Sequence, residues 1–298
     1  MGYTLRPQDP AAEVRKVARQ RIDKAIEALT VPAAERGEGV HQARKRFKEL
    51  RALLRLVRKP LGTEFKRENQ RLRDLGRALA ESRDATAMLE SWDLLSARFP
   101  KLFAEAGFKQ IRRRLQARAR QGEGDATNLD ARIAQAIDEL RNASACVDSW
   151  PLKGDGFELL AAGVERTYAD GCAELAKVKL EPSDEQFHEW RKRVKDHWYQ
   201  TRLLTPSWPT LMQLRSDSLK RLADLLGDDH DLAMMQQLMQ AQPSLFGDQS
   251  LREGLDRVIV QRRSEMQREA LALGDEIYLE PPRDLVARWQ RYWETAEV

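Results

Sequence analysis

His41-Gln42-Ala43-Arg44-Lys45-Arg46-Phe47-Lys48 returns later in the chain as His188-Glu189-Trp190-Arg191-Lys192-Arg193-Val194-Lys195, an offset of 147 positions. The offset continues without a gap, so that Arg55 corresponds to Arg202, Leu56 to Leu203, Leu72 to Leu219, Leu75 to Leu222, Leu79 to Leu226 and Asp84 to Asp231. Self-similarity of this kind identifies a unit that cannot bury its apolar face alone and needs its copy to complete the core. The repeat predicts a single domain over residues 1–298, made of two pseudosymmetric half-domains at about 1–148 and 156–298.

Apolar residues recur at helical spacing almost throughout and no alternating strand pattern competes with them, which predicts an all-α fold. Helices are expected at about 10–30, 39–58, 64–81, 85–98, 108–121 and 128–143, then at about 157–179, 184–204, 210–226, 231–241, 250–273 and 283–295. Asp9-Pro10 supplies a helix start, and Ser183 with Gln186 supplies a capping pair at the head of the second basic helix. The junction Ser149-Trp150-Pro151-Leu152-Lys153-Gly154-Asp155-Gly156 is short and rich in turn-formers, so the halves should pack together.

At 100° per residue, Arg44, Lys45, Lys48, Arg55 and Lys59 all fall within about 60° of His41, forming one cationic stripe. Ala43, Phe47, Leu50, Leu54 and Val57 lie opposite and read as the core face. In the second copy His188, Arg191, Lys192, Lys195, Tyr199 and Arg202 share a stripe backed by Trp190, Val194, Thr201 and Leu204, while Arg46 and Arg193 fall outside both stripes. Like charges three and four residues apart repel, so the stripe does not serve folding. Its duplication, with a histidine at each head, describes a polyanion-binding surface. The next helix adds Lys66, Arg73 and Arg77 in the first copy. In the second, Lys220 replaces Arg73, while Gln213 and Asp224 stand at the other two positions, so the first half is expected to bind more strongly.

The whole chain carries 51 Lys and Arg against 47 Asp and Glu, a formal charge of only +4, so local patterning carries the reading. Between residues 41 and 77 there are thirteen Lys or Arg against four Asp or Glu, and Lys109 to Arg120 adds six more without an acid. Cys146 and Cys172 read as buried fillers in a reducing cytoplasm. No apolar run approaches a membrane span, and Arg6 stands where a myristoylation signal needs Ser or Thr, so no membrane partner is expected. Asp84 and Asp231 read as helix caps or arginine partners, and His197, on a core face, as a hydrogen-bonded structural histidine.

The paired His-x-x-Arg-Lys-x-x-Lys helices, the Leu-Ala-Glu-Ser-Arg83-Asp84 segment and its copy Leu-Leu-Gly227-Asp-Asp-His230-Asp231 resemble the CHAD family, the conserved histidine α-helical domain. The resemblance spans nearly the whole chain. It implies two pseudosymmetric helical bundles that bind inorganic polyphosphate through basic residues and associate with polyphosphate granules. It assigns ligand roles to His41, Arg44, Lys45, Lys48 and Arg55, and to His188, Arg191, Lys192, Lys195 and Arg202. The family's Arg-Asp pair is kept at Arg83-Asp84 and altered to His230-Asp231.

The expected function is therefore non-enzymatic polyphosphate binding, with the two stripes lining a shared groove or channel, and with no metal or other cofactor. Aromatic residues near the stripes are few, which places a nucleic-acid binder second. A metal-dependent phosphohydrolase built on His41, His188, His230 and nearby Asp comes third, because the motif faces offer cations where metal-holding carboxylates would stand. If His41 and His188 donate to phosphoryl oxygens, affinity should rise as the pH falls from about 8 to about 6.

Overall fold

The computed structural model describes residues 2–79, 84–121 and 126–296. Thirteen α-helices and no strand occur among them. In the first part of the chain these are α1 (Pro10–Leu29), α2 (Arg36–Leu56), α3 (Arg58–Leu61), α4 (Thr63–Ala78), α5 (Asp84–Arg98), α6 (Pro100–Phe103), α7 (Ala106–Gln121) and α8 (Ala126–Cys146). They are followed by α9 (Glu158–Leu180), α10 (Asp184–Leu203), α11 (Pro209–Ala241), α12 (Gln249–Ile277) and α13 (Pro282–Ala296). None of the helices described is long and apolar enough to cross a membrane.

The caps follow their local chemistry. The Asp9 carboxylate accepts the Ala12 amide at 2.9 Å with Pro10 in the first turn, and Ser183 Oγ accepts the Gln186 amide at 3.2 Å. At two boundaries tertiary contacts override the local turn signal. Helix α2 begins at Arg36 and not at 39. Gly39 lies where α2 meets α1, and a Cβ there would stand 2.3 Å from the Ala28 carbonyl oxygen, so the glycine serves close helix packing. The predicted helices 210–226 and 231–241 are one continuous α11. Within it a Cβ on Gly227 would come 3.2 Å from Arg191 Nη2, and the buried Asp229 carboxylate pairs with Arg263 at 2.9 Å and accepts from Gln267 at 3.0 Å. Asp231 consequently sits inside a helix and is not its N-cap, while Arg83 and the Asp84 side chain lie outside the described residues.

The two repeated helices α2 and α10 touch each other, and each is flanked by its own neighbours, α1 and α4 for the first, α9 and α11 for the second. Their inner faces are as the spacing predicts: Ala43, Phe47, Leu50, Leu54 and Val57, and Trp190, Val194, Thr201 and Leu204, are all buried. Burying one such large apolar side chain contributes about 1.5–3 kcal/mol, so the faces opposite the charges hold the helices in register. Gly163 of α9 permits the closest approach to α2, since a Cβ there would lie 1.9 Å from the Leu56 carbonyl oxygen. A second core joins Trp92, Phe103 and Phe108 of the α5–α7 segment to Met235 of α11 and Leu255 and Ile259 of α12. The α5–α7 segment of the first copy thus packs on helices of the second.

Cys146 and Cys172 are free and only half-buried, more open than core fillers. His197 is buried as expected but not hydrogen-bonded: neither ring nitrogen has a partner, and the imidazole packs among Tyr168, Tyr278 and Trp289. Burial, then the nearby Arg215 charge, hold it well below the usual histidine range, so it stays a neutral core ring.

Candidate functional site

With their apolar faces turned inward, α2 and α10 leave their polar flanks facing a groove of about 550 Å³, closed on one side by α4. Helix α2 contributes Arg44, Lys48, Arg51 and Arg55, α4 contributes Arg73 and Arg77, and α10 contributes His188, Arg191, Lys192, Arg193 and Lys195. Ten Lys and Arg therefore line the groove against two carboxylates, Glu189 and Asp196. That excess decides its chemistry, because crowded cations gain most from a ligand that neutralises several at once.

Several of the cations are held in place by specific partners. Arg44 donates to the Gly76 carbonyl, Arg51 Nε donates to Asn69 Oδ1 at 3.0 Å, and Arg55 and Arg193 reach Asp196 at 3.2 and 3.5 Å. Lys192 pairs with Glu189 one turn back. Arg191 extends across α11 at Gly227, which explains the glycine inside that helix. Burial, followed by the charge of Arg55, pushes the Arg51 guanidinium down to about 10, so it remains charged at neutral pH while carrying the cost of its neighbours.

At the head of the second stripe the His188 ring lies 4.3 Å from the His230 ring, one from α10 and the other from α11, tilted by 33°. Burial, then the charges of His230, Lys192 and Arg191, hold His188 down at about 4, with Glu189 opposing weakly. His230 is lowered as well, first by burial and then by Arg191. In both rings burial disfavours the charged form. Burial first, and then the neighbouring charges, thus resist protonation of His188 in the free protein.

Nine of the fourteen residues predicted for the site line this groove: Arg44, Lys48, Arg55, Arg73, Arg77, His188, Arg191, Lys192 and Lys195. The other five do not line it. Lys66 is exposed at the start of α4, and His41 and Lys45 are half-buried on α2. Arg202 and Lys220 open instead onto a separate depression of about 340 Å³ with Tyr3 and Trp198. There the Arg202 guanidinium lies 5.1 Å from the Trp198 ring and 5.3 Å from the Tyr3 ring. Tyr199, expected on the exposed stripe, is buried at the groove's edge.

Arg51 and Arg193 join the groove although neither belongs to a stripe. A wheel places them about 80° and 140° from the histidine of their own helix. A cleft bounded by three helices also takes residues from the flanks, so the missing signal was the position of α4 against α2 and not any feature of the basic helices.

Curated proteins give no match to the chain. A family model, described as the CHAD domain, matches residues 16–240, from within α1 to the end of α11, and so contains every helix that lines the groove. The chain belongs to the CHAD family.

Proposed function

We propose that this protein binds inorganic polyphosphate in the groove between α2, α4 and α10 and does not cleave it. The CHAD family is in general associated with polyphosphate. The observation that carries the proposal for this chain is the set of ten cations against two carboxylates in one groove. Arginine forks hold two phosphoryl oxygens at once, lysines act as adaptable point charges, and the release of counterions from a polyanion supplies much of the affinity. The protein would accompany polyphosphate stores or granules as a binder.

Two features favour polyphosphate over a nucleic acid or a phosphohydrolase reaction. Sequence-tolerant binding of single strands relies on exposed aromatic faces, and the Phe47 and Tyr199 rings of the groove are both buried. The groove's carboxylates are engaged by cations, Asp196 by Arg55 and Glu189 by Lys192, whereas metal-assisted hydrolysis needs carboxylates converging on a cation. At one fixed salt concentration, long polyphosphate is expected to displace single-stranded DNA and RNA of equal charge, and incubation with divalent metal is expected to release no orthophosphate. Stronger binding of RNA, or turnover lost on groove substitution, would refute the proposal.

The histidine pair adds a pH prediction. A bound polyanion favours the imidazolium form of His188, so its pKa in the complex lies above the value of about 4 in the free protein. Affinity then increases as the pH falls through the bound-state pKa and levels off below the free-state one. Between roughly pH 7 and pH 5 the wild type should gain several-fold in affinity beyond what His188→Gln gains. Long chains are the ligand of choice, because terminal phosphates that titrate in this range are then few. Parallel curves for the two proteins would remove His188 from the binding mechanism.

A further inference from the structure

The offset that aligns the basic helices also pairs Arg46 with Arg193, Glu49 with Asp196 and Arg55 with Arg202. The ion pairs repeat in the same way. Glu49 holds Arg46 at 2.8 Å and Asp196 holds Arg193 at 3.5 Å, each an arginine three residues back on its own helix. Asp196 also holds Arg55 of α2 at 3.2 Å, and Glu49 holds Arg202 of α10 at 3.6 Å. Each repeated helix thus lends an arginine to the other's carboxylate, the reciprocal exchange typical of a twofold interface.

The two ends of the exchange are not equivalent in surroundings. Glu49 is fully buried and away from the groove, whereas the Asp196 side chain is 13% exposed and lines it beside both arginines it holds. We infer that Asp196 is a positioning residue for the polyanion: its carboxylate fixes the Arg55 and Arg193 guanidinium groups in the groove across the α2–α10 contact. An unrestrained arginine must give up its rotamer freedom when it grips phosphate, and a side chain already fixed gives up less. The inference rests on the polyphosphate reading and deepens it.

Simple charge counting predicts the opposite sign, which makes the inference testable. Removing a carboxylate from an anion-binding groove should tighten binding if net charge alone matters, and should loosen it if the carboxylate orders the arginines. Polyphosphate titrations at two salt concentrations, with thermal melts of every variant, would compare wild type, Asp196→Asn, Asp196→Glu and Asp196→Asn in an Arg55→Gln background. Asp196→Asn is expected to weaken binding about tenfold, Asp196→Glu less than about threefold, and the Asn replacement should cost much less once Arg55 is already gone. Unchanged or tighter binding by a folded Asp196→Asn protein would overturn the inference, whatever happens to its melting temperature. Should Asp196→Asn fail to fold, Asp196→Ser decides, since it also removes the carboxylate and leaves both arginines in place: weaker binding supports positioning, and unchanged or tighter binding overturns it. Absence of polyphosphate binding by the wild type would be a different result, refuting the function itself.

Discussion

Glutamate at Lys48 and Lys195 together is expected to weaken polyphosphate binding by about 100-fold or more near physiological salt, because two charge-assisted contacts contribute about 1.5–3 kcal/mol each and both become repulsive. The two lysines line the groove from α2 and α10. The matched control is glutamate at Lys109 and Arg113 of α7, which makes the same change in net charge on exposed residues outside the groove. That control should lose less than about threefold, through long-range screening-limited electrostatics alone. The lysines serve better than Arg55, whose reversal would set a carboxylate against Asp196 and disturb the α2–α10 contact itself. Arg112 is unsuitable as a control for a similar reason, since it forms a two-pronged pair with Asp93. Titration against salt provides the check: the groove variant should lower the slope of log affinity against log salt by about 1.5, and the control should leave it nearly unchanged. Equal losses in the two variants would mean that diffuse charge suffices and that the groove has no special role.

The helical class and the inner faces of α2 and α10 were legible because a period of 3.6 residues is imposed by the backbone, and Phe47, Leu50, Trp190 and Val194 obey it without help from the rest of the fold. The charged side was harder to read. A stripe on one helix is a property of that helix, whereas a groove depends on the helices that bound it. Arg51 enters the site because α4 stands beside it, and Arg202 is drawn away toward Tyr3 and Trp198. The continuity of α11 was hidden for a related reason. Gly227 and the acids after it resemble a helix end locally, yet Arg191 and Arg263, both distant in sequence, supply the contacts that make those residues suitable inside a helix. The packing of α5–α7 on α11 and α12 had no signal in the repeat, because an offset relates like to like and this contact joins unlike segments.

The acids at the two repeated positions were visible in the sequence, but their weight follows only from burial. Replacing Glu49 by glutamine is expected to cost about 3–5 kcal/mol of folding stability, the usual penalty for removing one member of a buried charge cluster. That is a large share of the total of about 5–15 kcal/mol typical of a folded domain. Glu49 is fully buried and faces Arg21 at 3.4 Å, Arg46 at 2.8 Å and Arg202 at 3.6 Å. Arg21 is itself only 3% exposed, so without the carboxylate its charge has neither water nor a counterion. The neighbouring Tyr3 hydroxyl, donating to the Glu49 carbonyl at 2.7 Å, is held well above its ordinary range by burial and then by the Glu49 charge, and cannot take over as an anion. The cluster is also incompletely hydrogen-bonded, since Glu49 Oε1 and Arg21 Nε and Nη2 lack partners. Its attraction therefore only partly offsets the desolvation of its members, and Arg21→Met combined with Glu49→Met should recover most of the loss seen in Glu49→Gln alone. Urea unfolding of the single and double variants measures both effects, and added salt should not erase the difference, because screening acts weakly on buried charges. A Glu49→Gln protein within about 1 kcal/mol of the wild type would mean that the cluster behaves as a solvated surface pair. The α2–α10 contact would then depend on its apolar face and on the Arg55–Asp196 pair.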